Sequence, residues 1–182
     1  MWNYNGFSKL QLDLIKERVI DLSGEVDIEM AKFTREALLR LKAEGSPDIE
    51  VRITSGGGSV KRGLDTYDML RMYEGKTRGI VFGEAASMAV VILQACTQRH
   101  AAKHSSVLIH HISAGQITLD DIRKHKRVAK IREDMERDQQ RLYDILSKRT
   151  KKTVRLIRLT CAKDKPMTAE EALQFGLLDE VM

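Results

Sequence analysis

Ser87 is the candidate nucleophile of this sequence because it stands between a predicted strand and a predicted helix. The segment of residues 77–82 is short and contains enough β-branched residues to predict a buried strand. Residues 88–96 form an apolar block that is long enough for a helix. A serine at this junction has its hydroxyl beside helix N-terminal N–H groups that lack an intrahelical acceptor, and these can stabilise an oxyanion. The alternative is an ordinary helix N-cap, a position that serine often occupies.

Two further residues could complete a hydrolytic site. His110 lies in a predicted strand over residues 106–111, and Asp164 lies in a loop just before a helix that starts at Thr168. Ser87, His110 and Asp164 follow one another in an order that a catalytic triad can have, since triads are defined by geometry. The structural alternatives are a strand histidine without a catalytic role and a surface ion pair between Asp164 and its flanking lysines.

The neighbouring histidine, His111, must be distinguished from His110. Adjacent strand residues point to opposite faces, so at most one of the two faces the Ser87 side. The same geometry argues against a metal site built from both, and we predict no metal.

A glycine-rich loop follows the predicted strand over residues 49–53. Residues 54–60 read Thr-Ser-Gly-Gly-Gly-Ser-Val and precede a helical pattern. They lack the Gly-Lys-Ser/Thr ending of a phosphate-binding loop, and their glycines do not fit dinucleotide spacing, so we predict no nucleotide cofactor. Two readings remain: a loop whose backbone approaches something closely, or a plain strand-to-helix turn.

The remaining elements predict an α/β domain. Residues 18–22 read as the first strand, and Asp27 caps a helix with one apolar face. Thr168 and Glu171 have capping-box spacing, and Gly176 supplies the helix stop. The apolar face of the Asp27 helix carries Met30, Phe33, Ala37, Leu38 and Leu41.

A long helix is predicted over residues 118–149. At 1.5 Å per residue, roughly 30 residues span about 45 Å, which exceeds the width of a domain of this size. Part of the helix should therefore project and need a partner, because its apolar stripe is too thin for full burial. The alternative is two helices bent near Gln139 and Gln140 that wrap one core.

Composition narrows the class of protein. The 182 residues, with 42% hydrophobic and 31% charged, predict a single ordered domain over residues 1–182. The net charge of +5 comes from interleaved acids and bases and aromatic content is only 5%, which argues against nucleic-acid binding. The most apolar run, residues 85–96, is too short to span a bilayer. Two cysteines form neither a disulfide framework nor a metal motif, and with no apparent signal segment we predict a cytoplasmic location.

Five segments in order resemble the proteolytic subunit of the Clp protease, a family of self-compartmentalising serine peptidases. The resemblance runs from about residue 14 to residue 181 and is specific because the segments occur together. They are a first-strand segment, a glycine loop, a nucleophile turn, a histidine strand, and an aspartate that precedes a short helix; in this chain these are residues 16–26, 53–60, 83–88, 107–110 and 164–179.

The resemblance implies roles for individual residues. Ser87 would be the nucleophile, His110 the general base, and Asp164 the group that orients the imidazole. The backbone amides of Gly57 and Met88 would form the oxyanion hole. No cofactor is implied.

The resemblance also implies a fold and partners. The fold would be a crotonase-like spiral of β-β-α turns with a projecting handle helix, here residues 118–149. The protein would form a homo-oligomeric ring, seven-membered in the family, with one ring or two stacked rings. Its substrates would be peptides or unfolded proteins delivered by an ATP-driven AAA+ unfoldase.

Three departures from the family pattern predict a divergent member. Gly56 replaces a proline in the glycine loop, His111-Ile112 replaces Gln-Pro, and Lys165-Pro166 replaces Arg-Phe.

Two alternative functions remain: a crotonase-type acyl-CoA hydratase or isomerase, which needs only the glycine-loop amides, and an inactive ring subunit. A Ser-Lys peptidase resembling signal peptide peptidase A is disfavoured by His110 and by the lack of an apolar anchor.

Overall fold

A computed structural model describes residues 7–113 and 123–182 of the chain. The helices and strands alternate along most of the chain, as predicted for an α/β protein. In chain order they are α1 (Lys9–Lys16), β1 (Val19–Ser23), α2 (Ile28–Ala43), β2 (Ile49–Ser55), α3 (Val60–Arg71), β3 (Thr77–Ala86), α4 (Met88–Leu93), β4 (Gln98–Ala101), β5 (Ser106–Leu108), α5 (His125–Thr150), α6 (Val154–Cys161), β6 (Met167–Thr168), α7 (Ala169–Phe175) and β7 (Glu180–Val181).

Within the described residues the strands form one mixed sheet. Its main path runs β1-β2-β3-β4-β7, with all neighbours parallel, while β5 pairs with β3 in parallel and β6 pairs with β5 in antiparallel. Helices α2, α3 and α4 connect the successive parallel strands from β1 to β4, as the crossover geometry of parallel sheets requires.

Strand β3 positions the candidate nucleophile. Its first half, from Arg78 to Val81, pairs with β4, and its last three residues pair with β5. The register against β2 shifts between Ile53 and Ser55, an irregularity of the kind that redirects a strand end. Ser87, which follows the last residue of β3, therefore lies where the ends of β2, β3 and β5 meet.

Helix α4 forms the centre of the core. All six of its residues are buried, which explains why the sequence is apolar on every side of this helix. The predicted helix over residues 88–96 was too long, since α4 ends at Leu93. Beyond that residue the N–H groups of Ala95 and Cys96 donate to carbonyls three residues back, which is the tighter pattern of a helix end.

Capping at the other helices follows the sequence. The Asp27 side chain accepts from Met30 N at 2.9 Å, and the predicted apolar face of α2 is buried. Thr168 and Glu171 form the predicted capping box of α7, which ends at Gly176 in the left-handed conformation. These predictions are confirmed because each depends on contacts within one helical turn.

Strand β5 is shorter than predicted, and this affects His110. The expected strand over residues 106–111 ends at Leu108. Its partner β3 ends at Ala86 and its other partner β6 has only two residues, so within residues 7–113 and 123–182 no strand pairs with His110 and His111. The last contact on the β3 side is the Ser87 N–H, which donates to Leu108 O at 2.8 Å.

The long helix is α5, one continuous helix of 26 residues that passes through Gln139 and Gln140 without a bend into two helices. It begins at His125, later than the predicted residue 118, and Lys124 has non-helical dihedrals of φ −95° and ψ 85°. Residues 118–122 lie outside the described residues. The buried residues of α5 are all in its C-terminal half: Leu142, Tyr143, Leu146 and Thr150.

No helix within residues 7–113 or 123–182 is long and apolar enough to cross a bilayer.

A charged network fixes the C-terminal end of α4. The guanidinium of Arg99 donates to Gln94 Oε1 at 2.7 Å, to Gly176 O at 2.8 Å, and to both carboxylate oxygens of Asp179. The Gln94 amide in turn donates to Leu177 O at 3.3 Å. Arg99 thereby joins the core helix that follows Ser87 to the C-terminal segment of the chain.

Asp179 makes this network sensitive to pH. Burial by itself raises the pKa of Asp179, but the hydrogen bonds and charge of Arg99, with the charge of Arg149, outweigh burial and lower the pKa below its ordinary value. A carboxylate whose folded pKa is depressed contributes stability above its unfolded pKa, near 4, and loses it as the pH falls through the folded pKa.

We therefore expect Asp179→Asn to lower the free energy of unfolding at pH 7 by about 2 kcal/mol, the scale of hydrogen bonds to charged groups. The difference from wild type should begin to shrink as the pH falls below about 4, where the carboxylate takes up a proton in the unfolded state, and should be smallest below the depressed folded pKa, where the folded carboxylate also loses its charge. Urea unfolding at pH 7 and at pH 3 measures both values. Glu74→Gln, at a carboxylate whose side chain is 70% exposed, is the control and should change little at either pH. A pH-independent difference for Asp179→Asn would contradict the role of its charge.

Candidate active site

The backbone of Ser87 has a conformation that serine rarely adopts. Its dihedrals are φ 55° and ψ −122°, and its side chain makes no capping hydrogen bond although it occupies the N-cap position of α4. The N-cap interpretation is therefore wrong for the hydroxyl group. Such backbone strain costs on the order of 1–3 kcal/mol and is found mostly where a functional group must be held in place.

Ser87 and His110 line the same cavity, which has a volume of about 60 Å³. Both residues are partly buried, so their polar groups face a restricted space rather than open solvent. Most of the other lining residues are apolar: Val60, Val91, Ile109, Ile112, Leu142 and Leu146. The structure thus brings together two of the three residues that the sequence singled out.

The glycine loop approaches the Ser87 turn closely. Gly57 has φ +97°, and a methyl group on its Cα would lie 2.6 Å from Ser87 Cβ and 3.2 Å from Met88 N. Gly57 O accepts from Val26 N at 2.8 Å, and Gly57 N donates to Ser55 Oγ at 3.1 Å. Close approach, rather than a plain turn, is the reason for glycine at this position.

Met88, the other candidate oxyanion donor, is the first residue of α4, so its N–H has no intrahelical acceptor. Its side chain is 1% exposed and packs against Gly63 in α3, where an added methyl group would lie 2.4 Å from Met88 Cε. Gly63 therefore allows α3 and the start of α4 to pack together beside Ser87.

Asp164 lies in the loop between α6 and β6. Strand β6 pairs with β5 through Met167 and Val107, so the Asp164 loop adjoins the strand that leads to His110. The Asp164 side chain is exposed, and its backbone has φ 46° with the N–H donating to Cys161 O at 3.2 Å. Across residues 7–113 and 123–182, no hydrogen bond joins Ser87, His110 and Asp164 to one another.

His111 has different surroundings from His110. A hydrogen bond of 2.7 Å joins His111 Nδ1 to the hydroxyl of Tyr143 on α5, and the two rings meet edge to face at 6.1 Å. Burial raises the pKa of Tyr143, so the phenol stays protonated at neutral pH. Unlike His110, His111 does not line the Ser87 cavity but lines a groove beside α5.

Neither cysteine is a competing nucleophile. Cys96 and Cys161 are both buried, and burial raises the pKa of Cys96 to about 12 and that of Cys161 to about 11. The thiolate is the reactive form of cysteine, and at neutral pH almost none of it is present. Among the described residues, His, Cys, Asp and Glu side chains form no group of three that could hold a metal ion.

Two residues near the site were missed by sequence reasoning. Ser55 binds the Gly57 N–H, and this could have been anticipated because serine commonly bonds a backbone group two residues away. Gln139 lines the Ser87 cavity from α5 and accepts from Ile112 N at 2.6 Å. No local signal predicts this contact, because the two residues are 27 positions apart.

One family model, described as Clp protease, matches residues 4–182, which is nearly the whole chain. The match extends across all the elements described above and includes each candidate site residue.

The close approach of Gly57 predicts how an added methyl group will behave. Gly57→Ala and Gly24→Ala place alanine at φ +97° and +99°. The resulting backbone strain should lower the free energy of unfolding of both variants by about 1–2 kcal/mol. Gly24 has no atom within 4 Å of the added methyl group, whereas at Gly57 the group overlaps Ser87 Cβ. We expect a larger loss of unfolding free energy for Gly57→Ala, measured by urea denaturation. Equal losses would contradict the close approach.

Proposed function

Because this chain belongs to the Clp protease family, we propose that it hydrolyses peptide bonds with Ser87 as the nucleophile and His110 as the general base. Membership of this family implies that the chain is a ClpP-like peptidase and has the ClpP/crotonase-like fold. The observation that carries the residue assignment is the shared cavity: Ser87, in its strained turn, and His110 line the same small space.

The reaction follows from the chemistry of these groups. Ser87 Oγ attacks the scissile carbonyl carbon while the His110 imidazole takes the hydroxyl proton. Collapse of the tetrahedral intermediate breaks the C–N bond, and the imidazolium returns the proton to the leaving amine. Water then attacks the acyl-enzyme with His110 again as base, which releases the second product and restores Ser87.

The proposed oxyanion donors are the N–H groups of Gly57 and Met88. Met88 N–H has no intrahelical acceptor, and the Gly57 backbone lies against the Ser87 turn. In the free protein the Gly57 N–H donates to Ser55 Oγ, so an oxyanion must share this donor or displace the Ser55 hydroxyl. We assign Asp164 the role of orienting the His110 imidazole, which requires its exposed side chain to turn towards β5.

An inactive ring subunit is the second candidate. The observation that favours it is that no hydrogen bond joins Ser87, His110 and Asp164 within the described part of the chain. Catalytic hydrogen bonds are often long or absent in ligand-free structures and form only with substrate, so the same observation is compatible with an active peptidase. Reactivity of Ser87 distinguishes the two.

A fluorophosphonate should label the wild-type protein, because activated Ser87 Oγ attacks phosphorus and displaces fluoride. Ser87→Ala should abolish labelling. His110→Gln should slow it by at least about 100-fold, the scale of general base catalysis. His111→Gln should retain most of it, because His111 lines a different groove and glutamine still offers the Tyr143 hydroxyl a hydrogen-bond partner. Intact-mass spectrometry over time measures the rate.

Ser113→Ala is the matched control, since Ser113 lines the same cavity but lies in no strained turn. Labelling that survives Ser87→Ala would move the nucleophile elsewhere. A wild-type protein that is folded but never labelled would favour the inactive subunit or an acyl-CoA enzyme. A greater loss in His111→Gln than in His110→Gln would reverse the assignment of the histidines.

We further propose that the single domain of residues 1–182 assembles into a ring and that α5 mediates stacking of two rings. At 1.5 Å per residue α5 is about 39 Å long, against a radius of gyration near 16 Å for a chain of this size. Val128, Ile131 and Met135 line a groove of about 640 Å³ that no other part of the described chain fills. A ring would also confine proteolysis to unfolded chains. Three further proposals rest on the family alone: a seven-membered ring, an AAA+ unfoldase as partner and a cytoplasmic location.

The charges of α5 determine how stacking should respond to salt. The N-terminal half of α5 together with the two residues before it, residues 123–137, contains seven basic and three acidic residues. Hydrogen bonds from Lys130 and Arg137 lower the pKa of Asp134, so this carboxylate stays charged and pairs within its own helix. A net positive surface remains on this half of α5, and two copies that face each other would repel.

We expect a single ring at low salt and a larger share of double rings at high salt, because salt screens repulsion between exposed charges. Light scattering after size exclusion at both salt concentrations measures the mass. Val128→Lys should prevent stacking while leaving single rings, because it removes an apolar contact and adds to the positive charge of this surface, and Leu39→Lys on α2, where leucine is 59% exposed, is the control for an added surface charge. A monodisperse monomer of 20.7 kDa at both concentrations would contradict the ring.

A further inference from the structure

The segment that carries His110 leaves the sheet before it reaches the histidine. Strand β5 ends at Leu108, and the last hydrogen bond to a neighbouring strand end is the one from Ser87 N to Leu108 O. A backbone segment that has left the sheet has no ladder to fix its position. A base that must lie within hydrogen-bond reach of Ser87 therefore needs another support.

Helix α5 supplies that support through two side chains. Gln139 Oε1 accepts from Ile112 N at 2.6 Å, and the Tyr143 hydroxyl bonds His111 Nδ1 at 2.7 Å. The two contacts hold the two residues that directly follow His110. Gln139 and Tyr143 are one helical turn apart, so both side chains lie on the same face of α5.

The Gln139 contact lies within the candidate site itself. Gln139, His110 and Ser87 all line the cavity of about 60 Å³, and Ile112 lines it as well. On its other side Gln139 borders the groove beside α5. The end of α5 that supports Gln139 is anchored in the core, because Leu142 and Leu146 are 7% and 3% exposed. The Oε1 atom is therefore held by a rigid element and can replace the missing strand partner of Ile112.

We propose that Gln139 is a positioning residue for His110: its side-chain carbonyl fixes the segment after the histidine and so holds the imidazole at Ser87. The inference rests on the proposed role of His110 as general base. Gln139 takes no proton and stabilises no charge, so its removal should misplace the base rather than weaken binding. A small misplacement of a reacting group can lower a rate by about 100-fold.

The test compares Gln139→Leu, which removes the acceptor, with Gln139→Glu, which keeps an acceptor oxygen in the same place. Gln139→Leu should lower the fluorophosphonate labelling rate, and kcat for a small peptide, by about 10- to 100-fold with a much smaller change in KM. Gln139→Glu should restore most of the rate. A carboxylate near an imidazole favours its charged form, so rates are compared on the plateau of each pH profile.

A second measurement follows the hydrogen bond without relying on activity. Amide hydrogen exchange at Ile112 should be faster in Gln139→Leu than in wild type and should return towards wild type in Gln139→Glu. Gln140→Leu is the matched control, because Gln140 is the exposed neighbour on α5 and donates to Asp144 at 2.8 Å. It should leave both the rate and the exchange unchanged.

The outcomes separate this inference from the function on which it rests. A labelled wild type with an equally reactive Gln139→Leu variant would overturn the positioning role alone. Equal losses of kcat in Gln139→Leu and Gln140→Leu would also overturn it, since they would indicate general damage to α5. A wild type that is never labelled would overturn the proposed function and the positioning role together.

Discussion

The structure depends on the close packing of the glycine loop against the strained turn at Ser87. Gly57 lies so near Ser87 Cβ that a single added carbon would overlap it, and the Ser87 N–H is held by Leu108 O. Three strand ends, those of β2, β3 and β5, are joined by these contacts. Strain of this kind persists only where the surrounding structure holds it, and the contacts of Gly57 and Leu108 are the ones that hold Ser87.

The buried helix α4 and its anchors keep this arrangement rigid. Its first residue, Met88, packs against Gly63, and its last turn is held by Gln94 and Arg99. Arg99 also binds Asp179 and the carbonyl of Gly176, so the C-terminal segment of the chain helps to fix the helix that follows Ser87. Core packing and the candidate site are therefore not separate features of this protein.

The two halves of α5 have different physical roles. The C-terminal half is anchored in the core by Leu142 and Leu146 and reaches the cavity through Gln139. The N-terminal half carries Val128 at 38% exposure and many charges, most of them paired within the helix. A surface of this kind is typical of a helix that meets another chain, which is why assembly forms part of the proposed function.

The sequence by itself determined the features that arise within one helical turn or from strand periodicity. These include the Asp27 cap, the Thr168–Glu171 capping box, the positions of β1, β2 and β3 along the chain and the junction at Ser87. Together with the family resemblance, it also indicated Ser87, His110, Asp164 and the two oxyanion amides, whose roles stay predictions. Tertiary structure decided where β5 ends, because that depends on the lengths of β3 and β6 rather than on local propensity. It also decided that Gln139 supports the segment after His110, a contact across 27 residues that no local pattern encodes.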